Sequence, residues 1–110
     1  MFSIFKRKTK QVNPFEQGWL TDLIDIHCHL LPAVDDGSKS IEETLSLIDL
    51  LEEIGVKQHI LTPHIMEEYP SNDAIFLRAR FEELLAAITP DKASRLRLAA
   101  EYMLDVAFLD

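Results

Sequence analysis

The chain has 110 residues, 47% hydrophobic and 27% charged, which gives one small domain with a core and not two. Its 19 acidic residues against 11 basic ones leave a formal net charge of -8, a surface that repels phosphate backbones and argues against nucleic acid as a partner. A negatively charged substrate fits such a chain only where bound cations invert the local field, and the single cysteine excludes an intramolecular disulfide and fits a reducing compartment.

Residues 1–19 read as a basic arm and linker. Met1-Phe2-Ser3-Ile4-Phe5 precedes Lys6-Arg7-Lys8-Thr9-Lys10, the reverse of a secretory signal, and Pro14 and Gly18 mark the linker. No apolar run approaches membrane-spanning length, so a cytoplasmic protein is expected. The domain proper is expected over 20–110. Leu20 to His29 reads as a strand with Leu23-Ile24-Asp25-Ile26 at its apolar centre. A loop over 31–39, marked by Pro32, Asp35, Asp36 and Gly37, leads to a helix that starts near Ser40, because Ser40 and Glu43 have capping-box spacing. Ile41, Leu45, Ile48, Leu51 and Ile54 repeat at helical intervals until Gly55 stops them.

Val56 to Thr62 reads as a second strand, broken by Pro63. A second helix is predicted over about 73–88, with Leu77, Phe81, Leu84 and Ile88 on one face and Thr89-Pro90-Asp91 at its end. Arg95 to Tyr102 reads as a third strand, and residues 103–110 as the start of another helix. The order β-α-β-α-β with short connections predicts an α/β fold of parallel strands joined by right-handed crossovers. Helices on one side of three such strands leave the other face bare. The expected architecture is therefore the first part of a barrel, incomplete at this length.

Strand alternation organises the chemistry. In an unbroken strand Asp25, His27 and His29 share one side, and Ile24, Ile26 and Cys28 the other. Two imidazoles two residues apart can ligate one cation, with Asp25 beneath them to orient a ring; alone, His-x-His reads equally well as a pair of surface histidines. Thr62-Pro63-His64 puts a histidine at the C-terminal end of strand two, and Ala99-Ala100-Glu101 a carboxylate at that end of strand three. In a parallel fold these ends meet on one rim. With Asp36 in the first loop, five candidate metal ligands converge: His27, His29, Asp36, His64 and Glu101. Imidazole and carboxylate suit zinc, iron or manganese, and a phosphate substrate favours manganese. His59, five residues before His64, falls on the opposite side of strand two, in the helix layer. Cys28 faces away from its flanking histidines, and the position six residues on, where a cysteine-based tyrosine phosphatase needs arginine, is Val34. Cys28 reads as a small core residue. An Asp-Asp-Gly loop is often only a turn, and Arg78, Arg80, Arg95 and Arg97 are assigned no role.

The motifs Asp25-Ile26-His27-Cys28-His29-Leu30-Leu31-Pro32, Val34-Asp35-Asp36-Gly37-Ser38-Lys39, Thr62-Pro63-His64 and Ala100-Glu101-Tyr102 together resemble the PHP (polymerase and histidinol phosphatase) superfamily. Within it they are most similar to the bacterial manganese-dependent protein-tyrosine phosphatases of capsule and exopolysaccharide systems. The resemblance covers roughly residues 22–110 and implies a distorted β/α (TIM-like) barrel holding up to three metals. It implies that His27 and His29 bind one metal, that Glu101 bridges to a second, and that Asp36 with His64 binds a third. The implied substrate is a phosphotyrosine protein, an autophosphorylated bacterial tyrosine kinase. Later ligands of the family, a His-x-Glu-Arg-Tyr-like segment and an Asp-x-His pair, do not occur after Glu101, so low or no activity is expected at this length unless another chain completes the barrel. The other readings are a phosphoesterase acting on a small molecule such as histidinol phosphate, and a non-catalytic metal- or kinase-binding fragment.

Overall fold

The structure, a computed structural model, describes residue 21 and residues 23–106. The expected arm and linker over 1–19 lie outside the described residues, as do residues 107–110 of the helix expected over 103–110; of the rest, residue 103 is irregular, 104–105 are bend and 106 is helical.

Strand β1 spans Ile24–Cys28. Helix α1 (Ile41–Glu53) begins where Ser40, in extended backbone, accepts the N–H of Glu43 through its hydroxyl at 3.1 Å. The reciprocal arm is displaced by one residue: Glu43 accepts the N–H of Lys39 at 3.3 Å. Gly55 follows at φ 100°, the left-handed turn that ends the helix. Then come β2 (Gln58–Leu61) and β3 (His64–Ile65). Helix α2 (Ala74–Ala86) is capped by Asp73, which accepts the N–H of Phe76 at 2.8 Å. A short helix α3 (Pro90–Ala93), with Thr89 as its cap, stands where the sequence reading has only a chain stop. Strands β4 (Leu96–Leu98) and β5 (Glu101–Tyr102) complete the described elements.

All pairings among the described strands are parallel. One sheet has the order β1-β2-β4, and β3 pairs with β5 in a second. The step between sheets falls at Thr62-Pro63 and Ala99-Ala100, since Pro63 has no N–H to give the ladder. Bridging bonds carry the register across it: Ala99 donates to the Leu61 carbonyl at 2.8 Å and Glu101 to that of Pro63 at 2.9 Å. As a result His64 stands directly opposite Glu101.

The core joins Leu61 and Leu96 of the sheet to Ile48 of α1 and Leu77, Phe81 and Leu84 of α2. Leu30, Leu31 and Val34 belong to the same core, so the loop after β1 is anchored by its own side chains. Burying each aliphatic side chain is worth about 1.5–3 kcal/mol, enough to hold the intervening Asp35-Asp36-Gly37 in place. Two buried hydroxyls add a polar tie: Thr44 donates to the Leu30 carbonyl at 2.6 Å and lies 2.6 Å from the Ser38 hydroxyl. The opposite face of β1 is bare, with Ile24 50% and Ile26 70% exposed.

Simple alternation along β1 is overturned. Asp25 pairs with His59 and Cys28 with Leu61, so three steps on β1 match two on β2. The extra residue is a bulge, and it resets which side each following residue faces. Asp25 therefore turns toward Cys28 and His59 instead of lying beneath the rings of His27 and His29. Its tie to that pair is the His27 backbone N–H, accepted by its carboxylate at 3.2 Å.

Candidate metal centre

Past the bulge, His27 and His29 reach the rim where β1 ends and β3 and β5 begin, just beyond the C-terminal ends of β2 and β4. Three imidazole nitrogens converge on one carboxylate oxygen there. Glu101 Oε2 lies 3.0 Å from His29 Nε2, 3.1 Å from His64 Nδ1 and 3.6 Å from His27 Nε2. On the far side of His64, its Nε2 is 3.3 Å from Asp36 Oδ1. All five residues singled out from the sequence thus come together. His29 and His64 are the sheltered members, while His27 and Asp36 stand in solvent at the edge. The ring of Tyr69 stacks on that of His64 at 5.7 Å and 7°.

The residues that orient these ligands were not found by sequence reasoning. Asp35, its side chain fully buried, accepts from His29 Nδ1 at 2.9 Å, from the His64 N–H at 2.9 Å and from the Gly37 N–H at 3.0 Å. Burial pushes its carboxyl up, but the hydrogen bonds from His29 and from the two backbone N–H groups outweigh this and hold it below the ordinary range. An ionised carboxylate only accepts, so His29 donates from Nδ1 and its Nε2 is the nitrogen that faces Glu101. Thr62 positions His27 in a similar way: its hydroxyl accepts the Cys28 N–H at 3.1 Å and lies 3.3 Å from the Cys28 carbonyl and 2.9 Å from His27 Nδ1. Asn72, buried, donates to the carbonyls of Val34 at 3.1 Å and His64 at 2.8 Å, tying the acidic loop to β3. The Asp-Asp doublet was a usable signal, yet spacing alone does not say which carboxylate ligates and which orients.

Gly37 is where the loop touches the strand. A Cβ there would lie 2.1 Å from the His29 carbonyl oxygen and 2.5 Å from the His29 Cβ, so only glycine fits. Ala33 closes the same loop at φ 59°, a left-handed conformation that non-glycine residues rarely take. Cys28, half-buried against the core, has its thiol pushed up to about 12 by burial and then by the charge of Asp25. A thiol held that high is poorly suited to act as a thiolate nucleophile at neutral pH. Arg80, Arg95 and Arg97 are engaged elsewhere, with Glu83, with Glu52 and Asp91, and with the carbonyls of Ser94 and Leu96.

The donor set fits a divalent cation. Glu101 Oε2 is buried without a hydrogen bond among the described residues, although imidazole nitrogens surround it. His27 and His29 both turn Nε2 toward that oxygen, the convergence of nitrogen and oxygen donors that ligands of one cation require.

Fold and site together define a parallel α/β protein with a histidine–carboxylate cluster, fit to hold metal, at the C-terminal ends of its strands. Residues 23–106 match the family described as "Capsular polysaccharide synthesis, CpsB/CapC", and the chain belongs to that family. It is similar to the putative tyrosine-protein phosphatase CapC of Staphylococcus aureus, 37% identical over 62 residues, which are 56% of this chain and 24% of that protein. It is similar over the same shares to the tyrosine-protein phosphatase YwqE of Bacillus subtilis (strain 168), at 32% identity. The tyrosine-protein phosphatase CpsB of Streptococcus agalactiae is 48% identical over 42 residues, 38% of this chain and 17% of that protein. The matches thus span a quarter or less of these relatives' own lengths.

Proposed function

We propose that this chain carries the metal centre of a phosphoesterase that hydrolyses phosphotyrosine on proteins, with His27, His29, Asp36, His64 and Glu101 as metal ligands and manganese as the favoured ion. The observation that carries the reading is the buried Glu101 oxygen, without a hydrogen bond among the described residues and ringed by three imidazole nitrogens at 3.0–3.6 Å. The names of the relatives supply the substrate class.

Divalent cations held there would supply Lewis acidity toward a phosphoryl group and offset the acidity of the chain. The protein's own part is orientation. Asp35 and Thr62 engage Nδ1 of His29 and His27, which leaves Nε2 of each ring for metal, and Asn72 fixes the distance between the acidic loop and β3. Asp36 and His27, both open to solvent, form the side from which a large protein substrate approaches. The proposed partner is an autophosphorylated tyrosine kinase in the cytoplasm. The proposed architecture is the first part of a distorted PHP-type barrel over residues 20–110, supported by the parallel order of β1, β2 and β4 and the bare face of Ile24 and Ile26.

Phosphate release from a phosphotyrosine peptide and from histidinol phosphate, each with manganese, tests the reading. It expects release from the peptide, abolished in Glu101→Gln. Release from histidinol phosphate alone moves the substrate to a small molecule. Bound manganese with no turnover of either compound leaves a non-catalytic metal- or kinase-binding role.

A further inference from the structure

A second donor cluster lies on the other side of β1. The bulge that sends His27 and His29 to the rim brings Asp25 and Cys28 together facing β2, and His59 meets them there. The ligating atoms of Asp25, Cys28 and His59 all lie within 4.8 Å of one another. None belongs to the ligand set of the rim.

His59 is the observation that needs an explanation. It is 1% exposed, on the same side of β2 as the core residue Leu61, and neither ring nitrogen finds a hydrogen bond among the described residues. A buried polar ring left in that state costs about 1–3 kcal/mol, and such groups are rare in folded proteins. Its nearest charged neighbour, Asp25 Oδ2, stands 3.6 Å from Nδ1. That is too long for a hydrogen bond. It is a natural spacing for two ligands of one ion: bonds of about 2.0–2.3 Å in a tetrahedral shell separate the ligand atoms by about 3.3–3.8 Å. The third atom, Cys28 Sγ, is held close to the strand by its contact with the Ile60 carbonyl at 3.4 Å.

We infer that Asp25, Cys28 and His59 form a second cation site, separate from the rim and selective for zinc. Thiolate, imidazole and carboxylate together are the borderline donor set that zinc prefers, whereas the rim offers only nitrogen and oxygen. Binding replaces the Cys28 Sγ–H proton, which passes to solvent, and breaks the contact with the Ile60 carbonyl. Asp25, with 28% of its side chain exposed, is the point of entry and leaves room for a water as fourth ligand.

Cobalt(II) titration of the whole chain provides the test, because only a sulfur ligand produces an intense thiolate-to-cobalt charge-transfer band in the near ultraviolet. The wild-type protein should develop that band, and one equivalent of zinc should bleach it. Cys28→Ser and His59→Leu should each lose the band and at least tenfold in zinc affinity. Glu101→Gln, altered only at the rim, should keep it. A wild-type protein saturated with cobalt and lacking the band overturns the site, as does a band that survives in Cys28→Ser. Neither result bears on phosphatase activity, so this site and the reading of the rim fail or stand separately.

Discussion

The Thr62 hydroxyl lies 2.9 Å from His27 Nδ1 and at the same time spans the amide and carbonyl of Cys28. One buried oxygen at the end of β2 thereby sets the position of an imidazole on β1 and leaves its Nε2 facing the rim. Replacing it with the isosteric Thr62→Val removes all three bonds without opening a cavity. Divalent affinity should fall about 10–100-fold, the usual cost of losing a partner behind a metal-bound histidine. Stability should fall by about 1–3 kcal/mol, since the Cys28 N–H is left unpaired. Thr62→Ser, which restores the hydroxyl, should recover most of the affinity in a calorimetric manganese titration. Equal binding by all three proteins would remove Thr62 from the account.

Asp35 makes a pH-dependent contribution whose sign follows from its carboxyl being held below the ordinary range. A carboxylate with a lower pKa in the folded than in the unfolded state stabilises the fold above the unfolded value, about 3.9. It loses that contribution as pH falls through the folded value. Urea unfolding between neutral and acid pH should show wild type losing stability below about pH 4. Asp35→Asn should be less stable at neutral pH and show a flatter acid limb. A variant with the same acid limb as wild type would mean that Asp35 does not carry this charge.

At Gly37 the fold is held by contact distance. The Cβ of Gly37→Ala would stand 2.1 Å from a backbone oxygen of His29, which has no rotamer by which to yield. Overpacking of this kind costs about 1–3 kcal/mol. The displacement falls on His29 itself, so the variant should lose manganese binding along with its urea midpoint. Normal binding with a lowered midpoint would show that the loop moves and the ligand does not.

Cys28 should be inert to alkylation near neutral pH. With its thiol pushed up to about 12, the thiolate forms only in strong alkali while the chain is folded. The unfolded chain should react with the ordinary thiol pKa of about 8.5. Iodoacetamide labelling followed by mass spectrometry, with and without denaturant, measures the difference. Rapid labelling of the folded protein at pH 7 would contradict the burial described here.

Much of the site was legible because parallel strands gather their C-terminal ends, so His64 and Glu101 could be placed beside His27 and His29 from chain order alone. The helices were legible from Ser40, Gly55 and the spacing of Leu77, Phe81 and Leu84. The bulge was not. It inserts one residue between Asp25 and Cys28, and the Ile26-His27 sequence has no glycine or other local mark to announce it. Every inference from strict alternation therefore failed for Asp25 while holding for His59. Thr62 and Asp35 were missed for a different reason. They act across long sequence separations, 35 residues in the case of His27 and Thr62, and pattern reading along the chain is blind to hydrogen bonds of that range.

Manganese content tests whether His27, His29, Asp36, His64 and Glu101 hold a divalent cation. The wild-type chain, loaded with manganese and dialysed, should retain it by elemental analysis. The double variant His27→Ala/His29→Ala, checked for folding by circular dichroism, should lose most of it. A folded double variant that keeps the full wild-type complement of manganese would contradict the assignment.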